Sequence, residues 1–203
     1  MKISILFAVL LISMSAGAQK KKQDIALTDQ QLQVMVDTIP TKDGKIFYDR
    51  IVYLDSSKRQ ADIYNDIRLW FVENFGSGKA VIQVDDIANG KLIAKGLYLY
   101  SFVTGINRHS GYTNFIINVI VKDGKFRYQV YQFQSEDSDR GLMGSESQGM
   151  HRTLVMDNCY EDYKAGKRVS YNRKNLERVV LCQYTIESTL SETMAKKVNN
   201  SNF

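Results

Sequence analysis

Histidine and cysteine are scarce in this chain of 203 residues, at two each, and proline occurs once, at Pro40. The histidines, His109 and His151, both fall in predicted loops. A metal centre needs further Cys, His or carboxylate ligands at suitable spacing, and neither Asp85-Asp86 nor Glu136-Asp137 runs on into calcium-loop spacing. The cysteines, Cys159 and Cys182, lack the C-x-x-C spacing of a redox or zinc site. Distance decides whether they are bridged. Cys182 sits at the edge of an apolar helical stripe, where a free thiol packs as a small hydrophobe, so buried free thiols are expected. There is no G-x-S-x-G turn, which leaves Ser110 beside His109 without the rigid elbow, oriented base and oxyanion hole of a hydrolase. Gly141-Leu142-Met143-Gly144 is not followed by GK[ST] and makes no phosphate loop. No catalytic, cofactor-binding or metal-ligating residue is assigned, and the chain is read as non-enzymatic.

Long apolar runs are also missing beyond the N-terminus, which excludes a later membrane helix. At the N-terminus, Lys2 precedes an apolar run from Ile5 to Ile12, followed by the small residues Ser13, Ser15, Ala16, Gly17 and Ala18. That order of charge, apolar run and small residues is a secretory signal, residues 1–18, with cleavage expected between Ala18 and Gln19. The run is too short to anchor the chain, since a span takes roughly 20 residues. No cysteine follows it to carry a lipid. The expected product is periplasmic or secreted, with no transmembrane anchor.

Charge excludes little. The chain has 27 basic and 22 acidic residues, and the cleaved form loses one lysine. Part of the surplus sits in Lys20-Lys21-Lys22 and Lys196-Lys197, runs shorter than most nucleic-acid-binding blocks. With export, this argues against a nucleic-acid partner.

What is present is patterning. Residues 19–44 read as a polar leader, in which Leu32, Val34, Val36 and Ile39 alternate like one edge strand. A turn at Lys42–Lys45 leads into a strand from Ile46 to Leu54. Ser57 followed by Gln60 forms a capping box that starts a helix. Ile63, Tyr64, Ile67, Trp70, Phe71 and Phe75 fall on one face of it, and Gly76 closes it. Four strands follow, over residues 79–85, 91–102, 112–122 and 125–134. They are joined at Asn89-Gly90, through a loop at 104–111, and at Asp123-Gly124. The pattern lapses over 135–172, a long loop with one short apolar segment, Leu154-Val155-Met156. A last helix, about 173–198, carries Leu176, Val179, Val180, Ile186, Leu190 and Met194 on one stripe, long enough to lie across the sheet. Its Lys174, Glu177 and Lys197 should be wet. The expectation is an α+β fold: one domain over residues 45–200, an antiparallel sheet covered by helices.

The stretch Ile46-Phe47-Tyr48, Ile63-Tyr64, Leu69-Trp70 and Phe75, then Val81-Ile82-Gln83, Asp85-Asp86, Gly90-Lys91-Leu92-Ile93 and Lys95-Gly96, resembles domain of unknown function 4468. The resemblance covers roughly residues 45–100. It implies a TBP-like fold with β-α-β4-α order and an exported protein of Bacteroidota, and it brings no catalytic residues with it. A fold name does not imply DNA binding.

The aromatic residues supply a candidate ligand cleft. Tyr98, Tyr100 and Phe102 alternate on one strand, His109 lies in the following loop, and Tyr112 opens the next strand. Tyr128, Tyr131 and Phe133 lie on the last strand. Rings and hydroxyls together suit a small ligand; aromatic residues are also ordinary strand residues, and the favoured reading is that these rings pack beneath the helices or cover a sheet edge. Asp37-Thr38-Ile39 fits the short motif for O-glycosylation in Bacteroidota, with Thr38 as candidate acceptor. The function expected is a non-catalytic binding module of the cell envelope or periplasm, for a small ligand or a protein partner, with no cofactor. The alternative is an envelope enzyme with its active site in loops 104–111 and 135–172.

Overall fold

A computed structural model describes residues 27–75, 82–104, 107–139 and 152–200, with side chains described except at 102–104, 107–109, 137–139, 152 and 196–200. The signal segment with Ala18 and Gln19, Gly76, His151 and the Gly141–Gly144 run lie outside these residues, as do the side chains of Phe102, His109 and Lys197.

The elements are α1 (Asp29–Asp37), β1 (Thr41–Lys42), β2 (Lys45–Tyr53), α2 (Gln60–Phe75), β3 (Ile82–Asp86), β4 (Lys91–Thr104), β5 (Asn107–Lys122), β6 (Lys125–Asp139), β7 (Arg152–Val155), α3 (Met156–Lys164) and α4 (Val169–Asn200). The seven strands form one antiparallel sheet in the order β1-β2-β6-β5-β4-β3, with β7 also paired to β6. The expected β-α-β4-α order is present as β2-α2-β3-β4-β5-β6-α4, with α1, β1, β7 and α3 added to it.

The core lies between the sheet and the helices. From α2 it takes Ile63, Tyr64, Ile67, Trp70 and Phe71, and from the sheet Leu92, Ala94, Phe115, Ile117, Val119 and Val130. From α4 it takes Leu176, Val179, Val180, Ile186, Leu190 and Met194, as the stripe predicts. Of the residues expected to be wet, Lys174 is exposed, whereas Glu177 is partly covered because Arg173 Nε donates to its Oε1 at 2.8 Å. Gly96 makes room for the core: a β-carbon there would stand 2.0 Å from Phe115 Cζ, so the bare backbone of β4 is where that ring lies. Cys159 and Cys182 are free buried thiols, as expected, and burial raises the Cys182 thiol far above its usual pKa.

Four sequence readings are corrected. First, residues 29–44 are not leader. Thr28 and Gln31 make the real capping box, with Gln31 N–H donating to Thr28 Oγ1 at 3.2 Å and Thr28 N–H to Gln31 Oε1 at 2.9 Å. The apolar residues Leu32, Val36 and Ile39 recur every three or four positions and serve a helix. Val36 and Ile39 are buried in the core, and the domain therefore begins before residue 45. Second, the box assigned to Ser57 and Gln60 does not form. Gln60 is the first residue of α2, and its N–H donates to Asp123 Oδ1 at 2.7 Å, so the turn of the β5–β6 hairpin caps the helix. Third, residues 107–111 are not loop but the start of β5, paired to β4 from Asn107↔Thr104 to Gly111↔Tyr100. Fourth, the long loop at 135–172 contains the end of β6, then β7, α3 and the start of α4. Inside it Met156 is buried, Leu154 half-buried and Val155 exposed, because Leu154 pairs with inward-facing Ser135 and Val155 with outward-facing Gln134.

Candidate functional site

All strands are antiparallel, so residues opposite each other across a pair share a face. Even-numbered residues of β4 oppose odd-numbered residues of β5, and both sets point toward the helices. The remaining residues form a second face that no described helix covers. Its cross-strand rows follow from the register. One row is Lys91, Ile120, Arg127 and Ile51, and the next is Val84, Ile93, Asn118, Gln129 and Asp49. Then come Lys95, Ile116, Tyr131 and Phe47, then Leu97, Asn114, Gln134 and Val155, and then Leu99, Tyr112, Glu136 and Thr153. The change of partner from β2 to β7 falls at Gln132, whose φ of 57° marks the irregularity in β6 that leaves Ile116 opposite Tyr131 and Asn114 opposite Gln134.

This open face carries exposed apolar side chains on β2 and on β4. Tyr53 is 74 % exposed, Leu99 72 % and Ile51 54 %, and the Phe47 ring stacks on Tyr131 at 5.8 Å. A polar chain crosses it. Arg127 Nε donates to Asp49 Oδ1 at 2.7 Å and its Nη2 pairs with Oδ2. Gln129 Nε2 donates to Asp49 Oδ2 at 3.4 Å, and Asn118 Nδ2 to Gln129 Oε1 at 3.1 Å. Asn118 Oδ1, at the end of the chain, is shielded and accepts no hydrogen bond. Lys91, Lys95, Lys122 and Lys125 stand exposed on the same face, and among the described residues none makes a salt bridge.

The predicted cleft residues are divided by this geometry. Tyr98 and Tyr100 do share a face, but it is the covered one. Arg178 of α4 lies 4.4 Å from the centre of the Tyr100 ring, and its Nη1 donates to the Tyr100 hydroxyl at 2.9 Å. Tyr112 points to the open face and donates to Glu136 Oε2, which raises the pKa of the phenol. Gly111 opposite Tyr100 is needed for this packing, since a β-carbon there would come within 2.5 Å of the Tyr100 hydroxyl. Phe102 and His109 are opposed on β4 and β5, so the backbone places them together. A depression of about 370 Å³ lies at this end of the sheet, lined by Leu99, Tyr100, Ser101, Ser110, Gly111 and Tyr112, and a second of about 300 Å³ lies beside Lys45, Phe47 and Tyr131. Tyr128 and Phe133 are core residues, with Tyr128 donating to Glu187 Oε1 at 3.3 Å. Thr38 is exposed at the end of α1, where its hydroxyl donates to the Val34 carbonyl at 2.8 Å. Among the described residues no group of three or more His, Cys, Asp or Glu could hold a metal, and no helix is long and apolar enough to cross a membrane.

Sequence reasoning overlooked the open face, although a signal was present. Phe115-Ile116-Ile117-Asn118-Val119-Ile120-Val121 and Leu97-Tyr98-Leu99-Tyr100 are nearly continuous apolar runs, the pattern of strands with two apolar faces, not one.

Carboxylates on and beside the sheet make its stability acid-sensitive. The hydrogen bonds from Arg127 hold Asp49 below the usual carboxylate range, and those from Tyr64 and then Arg68 do the same for Asp85. Because these groups release their protons more readily in the folded chain, their contribution is complete above about pH 4 and is lost as the pH falls through the depressed folded values. The urea midpoint should therefore fall steadily below about pH 4, and less steeply in Asp49→Asn. A flat profile in the wild type would show that these pairs carry no stability.

A two-layer α+β domain, with helices on one face of its sheet and no described helix on the other, is the class defined by this architecture. Residues 48–136 match the family model described as "Domain of unknown function (DUF4468) with TBP-like fold", which shows the resemblance read from residues 45–100 over a longer stretch. The crystal structure of a DUF4468 family protein from Bacteroides ovatus superposes with a TM-score of 0.62 at 16 % identity, covering 83 % of this chain and 96 % of that one. That of a TBP-like protein from Parabacteroides distasonis gives 0.58 at 9 % identity, covering 77 % and 97 %. At these identities the likeness is one of fold. No curated protein matches the chain.

Proposed function

We propose that the protein is exported through residues 1–18 and is a non-catalytic binding module of the cell envelope or periplasm that presents the open face of its sheet to a protein partner. The observation that carries this reading is the set of large apolar side chains left in solvent on one continuous face, including Ile51, Tyr53, Leu97 and Leu99. These residues stand in two groups, on β2 and on β4, either side of the Arg127–Asp49–Gln129–Asn118 chain, and large apolar side chains exposed on one face mark interaction sites. The shallow depressions favour a broad surface over an enclosed small ligand.

A photo-crosslinking residue at position 51 or 53, in the full chain expressed in its native cell, is expected to give a discrete adduct. The same residue at position 72, exposed on the outer side of α2, is expected to give none. Equal labelling from both faces, or none from the sheet, would reject the open face as the binding surface.

A further inference from the structure

The sequence Lys-Asp-Gly-Lys occurs twice, at 42–45 and at 122–125. Each makes the turn of a hairpin whose two lysines stand directly opposite each other, Lys42 across from Lys45 and Lys122 across from Lys125. Like charges so placed destabilise a strand pair. Among the described residues none of the four makes a salt bridge, and the turn carboxylate of Asp123 is occupied by the Gln60 N–H at 2.7 Å. Both pairs belong to the open face: Lys42 Nζ lies 5.3 Å from the centre of the Phe47 ring, and Lys125 Nζ 6.0 Å from that of Tyr53. Lys91 and Lys95 add two exposed amines on β4. The carboxylates of the same face are engaged, Asp49 by Arg127, Asp86 by Asn89 and Glu136 by Tyr112. Outside the described residues the sequence holds only two acidic side chains, Asp24 and Glu146, too few to neutralise these lysines.

We propose that the partner of the open face is an acidic protein surface, whose carboxylates seat between the opposed lysines while its apolar groups cover Ile51 and Tyr53. The inference rests on the reading that this face binds a protein. Charge complementarity selects the occupant: carboxylates from outside remove two like-charge repulsions that the fold leaves in place, and they set the register of an otherwise apolar contact. A continuous anionic layer such as a lipid surface fits less well. Asp43 and Asp123, exposed in the turns between the lysines of each pair, would be pressed against its phosphates, whereas a folded partner places its carboxylates one at a time.

Titration of the purified protein with an acetylated hexaglutamate peptide is expected to shift the amide resonances of residues 42–47, 51–53 and 122–127. Raising sodium chloride from about 50 to about 300 mM should weaken the response. Lys122→Glu combined with Lys125→Glu should lower the affinity for the peptide about tenfold with unchanged far-UV circular dichroism, and should abolish the adduct formed from position 51 in the native cell. Vesicles of phosphatidylethanolamine and phosphatidylglycerol should leave the protein in the supernatant. An adduct that persists undiminished in the double variant would overturn the acidic partner and leave the open face standing as the binding surface. A wild type that gives no adduct removes the surface itself, and the proposal with it. Peptide shifts centred instead on Lys174 of α4, or no shifts at all, would also overturn it, as would vesicle binding that the double variant abolishes. The wild-type titration and its salt dependence need no variant to fold.

Discussion

Replacing Trp70 by alanine is expected to lower the stability of the fold by about 3–5 kcal/mol, the range for deleting a fully buried large aromatic side chain. Trp70 is inaccessible to solvent. Its ring meets Phe71 edge-on at 4.7 Å and Phe75 at 5.2 Å, and Phe75 passes the contact on to Phe115 over Gly96. Its indole Nε1 donates to Thr189 Oγ1 at 3.1 Å, tying α2 to α4. The substitution therefore removes ring burial, two aromatic contacts and an interhelical hydrogen bond together. For a domain with about 5–15 kcal/mol in total this is a large fraction, and the melting midpoint should drop by roughly 10 °C or more. Far-UV circular dichroism during urea titration measures it, since the variant lacks the chain's one tryptophan. Trp70→Phe should fall between the two, because it keeps ring packing and loses the indole donor. An alanine variant with the wild-type midpoint would mean that α2 does not anchor the core.

Leu190→Ala should cost about 2–5 kcal/mol. Helix α4 has 32 residues, about 48 Å, and one stripe of it faces the sheet and α2. Leu190 is 3 % exposed on that stripe, one turn from Ile186 and from Met194. Removing its branched end leaves a cavity that a helix pinned on both sides cannot close. Lys174→Ala on the exposed side of the same helix should stay within about 0.5 kcal/mol of wild type. Equal midpoints for the two variants would detach α4 from the core and remove the reason for its stripe.

The open face was not read from the sequence, and the aromatic cleft that was read turned on a geometry the sequence left open. Tyr100 and Tyr112 line the depression at one end of the sheet, and Tyr98 precedes Tyr100 by two residues on β4. Whether they form one cleft depends on parity across the β4–β5 turn. A side chain changes face with every residue, so a slip of one position in a hairpin inverts the whole strand. With an eight-residue loop over 104–111 the parity stays open. The strands in fact continue to Thr104 and from Asn107, and Tyr100 comes to face Gly111. Tyr112 is thereby sent to the opposite side, beside Leu99 and Glu136.

Local signals determined the elements whose own periodicity is strong: the apolar stripes of α2 and α4, the alternation in β2, and the glycine turn at Asp123-Gly124. These follow from side chains a few residues apart, and such distances are set by the backbone itself. Only the tertiary structure decided the rest. Leu32, Val34, Val36 and Ile39 satisfy a strand period about as well as a helical one, and docking of Val36 and Ile39 in the core, with Gln33 Nε2 donating to the Tyr163 hydroxyl of α3 at 2.7 Å, selects the helix. The start of α2 is capped by Asp123, 63 positions away. The polar ends of β5 and β6 are strands because a neighbouring backbone accepts and donates their hydrogen bonds, a reason that lies outside their own side chains. The uncovered face has the same origin. Apolar runs in β4 and β5 call for cover on two sides, and among the described residues helices cover one.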